Sequence, residues 1–438
     1  VLVRYFVENF LSFKDECELS FIPGRSSKFP EHIENGNINI LRTAVIYGAN
    51  ASGKSNLIKS MDFARNLILH GTKTKESIPV NRFKLNDLCK NKPAKFQFDI
   101  KYKDKYYSYG FSVDQLKVNK EWLYEIKSKK NVSLLFERTT NDKHVAIKFG
   151  NIFKHENIDK EFIEFIRQGT RPNQLFLTEC EDRNIEVFSD VYEWFYKVLV
   201  IVFPQTKPMG FESIFLDDNG KEIKELFNNL IKKFDTGIQG FKLEKFKLES
   251  AGIPDFIIED LKKDIKKNIR GYLKLPDNKR YCVYKNEADE LVGLKLMAVH
   301  KVHDSEENIY FELEDESDGT RRLTDILPLL AKFTSKTIIF DELDRSLHPL
   351  ITRKIIELFL ENTDSQFIAT THDSSLLDLN LLRKDAIWFI SKNSNEESKL
   401  YSLEEFKKEY GNNLQNAYLK GRFGAIPIIS NKQNVDEI

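Results

Sequence analysis

The sequence predicts an α/β fold, with a parallel sheet that carries a phosphate-binding loop, an antiparallel β subdomain and a mainly helical insertion. Three observations predict it. An apolar run at 43–47 leads into Gly48-Ala49-Asn50-Ala51-Ser52-Gly53-Lys54-Ser55, after which Leu57, Ile58, Met61, Ala64 and Ile68 recur at helical spacing. In the last third, strand-like runs at 337–340, 366–370 and 387–391 alternate with a helical pattern at 351–360, as in a parallel sheet. Between 95 and 136, Phe96, Phe98 and Ile100 alternate, and Tyr107, Tyr109 and Phe111 do so again beyond the turn at Lys103-Asp104, which reads as a meander.

The remaining elements follow from the same periodicities. Residues 2–7 and 17–22 alternate as strands. Residues 185–202 read as one helix with Val187, Val191, Trp194, Phe195 and Leu199 inward. Helices are expected at 221–234 and 254–269, and strands at 238–248, 297–302 and 309–313. The division expected is 1–150 for the first half of the loop-bearing domain, 151–300 for the insertion and 301–438 for the second half. No repeat recurs, and no heptad pattern between 120 and 313 supports a coiled-coil arm.

Composition narrows the class. The 438 residues carry 67 basic and 67 acidic side chains, so no global field marks nucleic acid or membrane as a partner. Hydrophobic residues are 41%, with 34 Phe and 16 Tyr, which argues for a packed core rather than disorder. Cys17, Cys89, Cys180 and Cys282 are too scattered for a zinc knuckle or disulfide framework and fit a reducing compartment. No apolar run reaches the roughly 20 residues of a bilayer span, and the first residues run straight into strand-like sequence. The expectation is a cytoplasmic protein without membrane contact.

Four segments carry chemistry. Gly48 and Gly53 let backbone N–H groups close around phosphate oxygens, with Ala49, Asn50, Ala51 and Ser52 completing the turn. Lys54 supplies a charge for the terminal phosphates and Ser55 a hydroxyl for Mg²⁺, so ATP with Mg²⁺ is the expected ligand. Thr337-Ile338-Ile339-Phe340-Asp341-Glu342 is a buried strand ending in two acids at the sheet edge where ligands bind. Asp341 is expected to hold Mg²⁺ and Glu342 to be the general base. Glu316-Ser317-Asp318-Gly319-Thr320-Arg321-Arg322 precedes a helical face of Leu323, Ile326, Leu327, Leu330 and Ala331, presenting a capped helix N-terminus for an anion. Phe367-Ile368-Ala369-Thr370-Thr371-His372-Asp373 ends one strand–helix–strand unit after Asp341, so His372 is expected at the same edge, able to sense a γ-phosphate.

In that order the four segments resemble an ABC-type ATPase head, in the compact form of the SMC, RecF and OLD group. Asp344-Arg345-Ser346-Leu347-His348-Pro349 resembles that group's D-loop. More narrowly, Asn9-Phe10-Leu11-Ser12-Phe13-Lys14, the Ser317 segment, 341–349 and the tail 418–427 resemble the ATPase subunit of AbiL/RloA-type phage-defence systems. The likeness covers both ends of the chain, while 140–302 matches only loosely. It implies a homodimer or higher oligomer closed on two ATPs, with Ser317, Gly319 and Arg321 of one copy capping the γ-phosphate held by the other. It also implies an anti-phage switch acting on a separate effector encoded nearby, such as a nuclease. A RecF-like repair ATPase with DNA as partner is the alternative. The signature reads Ser-Asp-Gly-Thr rather than the transporter Ser-Gly-Gly-Gln, and the Q-loop residue is either Gln174 or Asn184.

Three weaker signals have plainer readings. His300 and His303 sit three apart on a strand and face opposite ways, which suits no shared metal. Lys262, Lys263, Lys266, Lys267, Arg270, Lys274, Lys279 and Arg280 read as a solvated helix face sooner than a phosphate track. Tyr102, Tyr106, Tyr107 and Tyr109 read as sheet faces. The 66 residues beyond His372 are too few for a nuclease domain after the last strand, so the effector is expected on another chain.

Overall fold

A computed structural model describes residues 1–128, 131–141, 144–150, 160–206, 220–265, 270–274, 280–302, 305, 307–332, 335–406 and 413–427. The chain forms two compact units. The first holds Val1–Pro204, Thr334–Asp344 and Phe359–Ile438, and the second Gln205–Phe333 and Arg345–Leu358.

The first unit is built on a six-stranded sheet in the order Leu199–Val202, Thr337–Phe340, Gln366–Thr371, Thr43–Gly48, Ile387–Lys392, Ser398–Ser402. The first five strands run parallel, and Ser398–Ser402 closes the edge antiparallel. The three central strands are buried at every position, which is why they read as continuous apolar runs. A seven-stranded antiparallel sheet contains the expected meander and the N-terminal strands Leu2–Glu8 and Cys17–Ser20. Helix Lys54–His70 buries Leu57, Ile58, Met61, Ala64 and Ile68 in one core with Ile46 of the parallel sheet and Tyr5, Phe96, Phe98 and Phe111 of the antiparallel one.

The segment 185–202 departs from expectation. Helical turns end at Val198, and Leu199–Val202 is a parallel edge strand paired with Thr337–Phe340. Four consecutive apolar residues suit either a helix face or a buried strand, and strand pairing decides between them. The change matters for the site, because the Val202 carbonyl accepts the Asp341 N–H at 2.9 Å.

The second unit carries a five-stranded antiparallel sheet of Gly240–Lys247, Leu291–Lys301, Arg280–Lys285, Arg270–Lys274 and Asn308–Glu312. Around it lie helices Gly220–Ile231, Asp255–Asp264 and Asp318–Lys332. The basic stretch is therefore not one helix face. Its helix ends at Asp264, and Arg270, Lys274 and Arg280 fall on a hairpin, while Lys266, Lys267 and Lys279 lie outside the described residues. Among the described residues no cysteine forms a disulfide and no helix is long and apolar enough to cross a membrane.

Candidate nucleotide site

The loop's shape depends on its two glycines. A Cβ on Gly48 would stand 2.5 Å from both the Ile390 carbonyl and Ser52 Oγ. Gly53 lies at φ +115°, where a Cβ would stand 2.3 Å from Ser398 Oγ. Beneath the loop is a hydroxyl latch that the motif alone does not reveal. Ser398 Oγ donates to the Ser52 carbonyl at 2.6 Å and lies 2.7 Å from Ser12 Oγ, which accepts from Asn56 Nδ2 at 2.8 Å. Ser12 and Ser398 come from opposite ends of the chain, so no local pattern pairs them.

Lys54 is only 6% exposed, and its Nζ donates to the carbonyls of Gly48 at 2.8 Å and Ala49 at 3.0 Å. Burial pulls its pKa down to about 8, against the opposing pull of Asp341, Asp344 and Glu342. Ser55 Oγ donates to Asp341 Oδ1 at 3.1 Å. Ser52 Oγ is buried with no hydrogen-bond partner among the described residues. An orphaned hydroxyl, a cradle that a Cβ would fill and a lysine beside acids together fit a polyanion with its divalent cation.

The two acids are held by the neighbouring strand. Asp341 is 3% exposed, and Thr370 Oγ1 donates to its Oδ1 at 2.8 Å. The same hydroxyl accepts the Glu342 N–H at 2.8 Å, and the Thr370 carbonyl accepts the Leu343 N–H at 3.0 Å. These bonds hold Glu342 at φ +52°, a left-handed conformation that glutamate rarely adopts. His372 follows at the end of the same strand. Its N–H donates to both oxygens of Asp344, at 3.2 and 3.3 Å. Burial and Lys54 lower the His372 pKa, with Asp344, Glu342 and Asp341 opposing, so the imidazole is neutral at neutral pH. The structure thus brings 48–55, Asp341, Glu342 and His372 together at the carboxyl edge of one sheet, with Thr370 as the unforeseen member.

Ser317, Gly319 and Arg321 lie in the second unit, at the start of helix Asp318–Lys332. Ser317 Oγ accepts from the Thr320 N–H at 3.1 Å, and a Cβ on Gly319 would stand 2.7 Å from the Ser346 carbonyl. Arg321 is bonded to the Asp318 carboxylate and the Glu314 carbonyl. His300 Nε2 meets Glu316 Oε1 at 2.7 Å, while His303 lies outside the described residues. Neither Q-loop candidate is shown at the phosphate loop. Gln174 is buried at the far end of helix Lys54–His70, accepting the Thr72 N–H at 2.9 Å, and Asn184 is an exposed left-handed residue.

A glycine loop between a buried strand and a helix, with an acid-tipped strand two positions away in the sheet, defines a phosphate-loop nucleotide-binding fold of the ATPase kind. Residues 44–147 and 206–378 match the family model described as "AAA domain, putative AbiEii toxin, Type IV TA system", and the chain belongs to this family. The AbiL/RloA-type resemblance is consistent with it. Solved structures similar to this chain include the SMC head bound to the C-terminal winged-helix domain of ScpA, at 15% identity and a TM-score of 0.42, covering 92% of this chain and 99% of that one. The SMC head domain from Thermotoga maritima is similar at 14% identity and a TM-score of 0.36, covering 92% and 98%. No curated protein matches the chain.

Proposed function

We propose that the chain binds and hydrolyses ATP as a dimerising switch, and serves as the ATPase subunit of a bacterial anti-phage system that controls a separate effector such as a nuclease. The observation that carries the ATPase reading is the Thr370 hydroxyl, which ties Asp341 and Glu342 together beside Ser55. The family description, which names an AbiEii toxin and a Type IV TA system, supports the defence setting.

In this reading the amides of 48–55 and the Lys54 ammonium hold the phosphates, with Lys54 giving up its carbonyl partners to do so. Ser55 and Asp341 would hold Mg²⁺, which neutralises charge on the phosphate oxygens. The Glu342 carboxylate takes a proton from a water whose oxygen bonds to the γ-phosphorus. The bond from that phosphorus to the bridging oxygen breaks, leaving ADP and phosphate. His372 orients the water and γ-phosphate as a neutral imidazole. Ser317, Gly319 and Arg321 of a second copy would close over the γ-phosphate, Arg321 leaving Asp318 for it. The test is Glu342→Gln. ATP binding should persist while turnover falls by about 100-fold or more, and ATP should accumulate a dimer visible by light scattering. Unchanged turnover would refute the assigned base, and a monomer at saturating ATP would refute the switch.

A further inference from the structure

We infer that a basic, carbon-walled cleft on the first unit is a docking site for an acidic peptide segment of a protein partner, one that interleaves carboxylates with leucine or phenylalanine. The cleft encloses about 1060 Å³ among 74–77, Arg82, Lys90, Asn91, 114–117 and 171–173. Arg171 donates to the carbonyl of Thr72, just past the C-terminus of helix Lys54–His70. The phosphate loop is at that helix's opposite end, so the cleft is separate from the nucleotide site.

Its charge is one-sided. Lys75, Arg82, Lys90, Lys117 and Arg171 line it, against Glu76 and Asp114. The Asp114 carboxylate already accepts the N–H groups of Leu116 at 2.7 Å and Lys117 at 3.0 Å, so part of its charge is satisfied within its own turn. Lys90 pairs with Asp87, but Lys75, Arg82 and Lys117 make no ion pair among the described residues. Arg171 is fixed in place, with its terminal nitrogens on Thr74 Oγ1 and the Thr72 carbonyl, and its Nε is buried without a hydrogen-bond partner among the described residues. In a chain with 67 charges of each sign, this excess is a local construction.

The apolar component distinguishes the occupant. Leu116, at the tip of the turn that lines the cleft, is 79% exposed. Leu85 and Leu88, on the segment joining Arg82 to Lys90, are 68% and 83% exposed. One exposed leucine is ordinary, but Leu116 stands in the basic lining beside Pro172, and Leu85 and Leu88 add exposed apolar surface between two of the lining residues, Arg82 and Lys90. A single-stranded nucleic acid would call for aromatic stacking platforms, and among the described residues the lining contains none. Carboxylates for the unpaired lysines and arginine, with an apolar side chain against Leu116 and Pro172, are the complementary chemistry.

The experiment uses the full chain and three fluorescein-labelled probes: a short peptide of alternating aspartate and leucine, its lysine–leucine counterpart and a short DNA duplex. Fluorescence anisotropy should show binding of the aspartate–leucine peptide alone, weakening as salt rises. Lys75→Glu/Arg82→Glu/Lys117→Glu should lose about 10-fold or more in affinity with basal ATP turnover unchanged, since none of the three touches the nucleotide site. Leu116→Ser, which keeps every charge, should lose about 3-fold. Should the triple variant fail to fold, Lys117→Glu alone carries the charge test. No peptide binding, equal affinity for the DNA, or peptide affinity untouched by both Lys117→Glu and Leu116→Ser would each overturn the inference.

Discussion

Thr370→Val isolates the device that holds the two acids. Valine matches threonine in shape, so the buried strand keeps its packing while one hydroxyl is lost. That hydroxyl makes two bonds of 2.8 Å, donating to Asp341 Oδ1 and accepting the Glu342 N–H. A bond to a charged acceptor contributes about 1.5–3 kcal/mol, and a buried N–H left without a partner costs about 1–3 kcal/mol. The Glu342 N–H is only half-buried, so the variant should lose about 2.5–4 kcal/mol of stability, the lower part of that sum, seen as a lower urea midpoint at unchanged m. Catalysis should suffer for a further reason. Glu342 sits at φ +52° under the restraint of that N–H bond, and such a conformation costs about 1–3 kcal/mol unless its surroundings hold it. With only the Leu343 N–H to Thr370 carbonyl bond left of the Thr370 restraints, the backbone relaxes and the carboxylate shifts from its position. If about 2 kcal/mol of preorganisation goes with it, kcat falls about 30-fold. The decisive assay is steady-state ATP turnover beside nucleotide affinity. In Thr370→Val kcat should collapse while affinity for the nucleotide changes by less than about 3-fold, and Thr370→Ser should restore both turnover and stability. Wild-type kcat in the valine variant, or a serine variant as damaged as the valine one, would refute the reasoning.

Lys54 gives a pH dependence. Its pKa near 8 means that the side chain of the free protein loses its charge as pH rises through that value, so affinity for a non-hydrolysable ATP analogue should fall between pH 7 and 9.5, roughly the range around that pKa. Unfolding restores the ordinary lysine value of 10.5, so the unfolded chain binds more protons in this window and Lys54's contribution to stability rises with pH from about 8 to 10.5. Calorimetric titration giving a flat profile, or a Lys54→Arg variant with the same slope, would rule the assignment out. Ser398→Ala removes the contacts with the Ser52 carbonyl and Ser12 Oγ and should weaken nucleotide binding about 5- to 10-fold, with Ser398→Thr partly restoring it; equal affinities in all three proteins would discount the latch. Arg138→Met strands Glu121, since the pair is fully buried at 3.4 Å, and should cost about 3–5 kcal/mol in denaturant melts. A loss below about 1 kcal/mol would mean that Glu121 is satisfied by Tyr109 and the amides of Phe176 and Leu177 alone.

The parts legible in the sequence are those whose cause is local. Gly48 and Gly53 are needed by the loop itself, and the strand before them and helix after them announce their own periods. The acids of 341–342 are legible because a buried strand must end before charge begins. Leu199–Val202 was not legible as a strand, because its partner Thr337–Phe340 lies far away in the chain. Strands Arg270–Lys274 and Arg280–Lys285 were hidden by their lysines and arginines, which mimic a solvated helix. Thr370 and Ser398 escaped for a different reason. A hydroxyl acts through whatever lies beside it, and nothing in Phe367-Ile368-Ala369-Thr370 or Ser398-Lys399-Leu400 names the distant atom it will meet.

Helix Lys54–His70 begins in the phosphate loop and, at 17 residues, runs about 25 Å to its other end. There its last carbonyls, and that of Thr72 just beyond it, are gripped by a single stretch of chain: Ile68 by Thr178, Leu69 by Tyr192 and Thr72 by Arg171. The helix is in effect a pushrod, stiff along its axis and clamped at both ends. If the terminal phosphates draw Lys54 off the Gly48 and Ala49 carbonyls, any axial travel would reach Thr178 and Tyr192 directly, and Arg171, in the lining of the basic cleft, only across the left-handed Gly71.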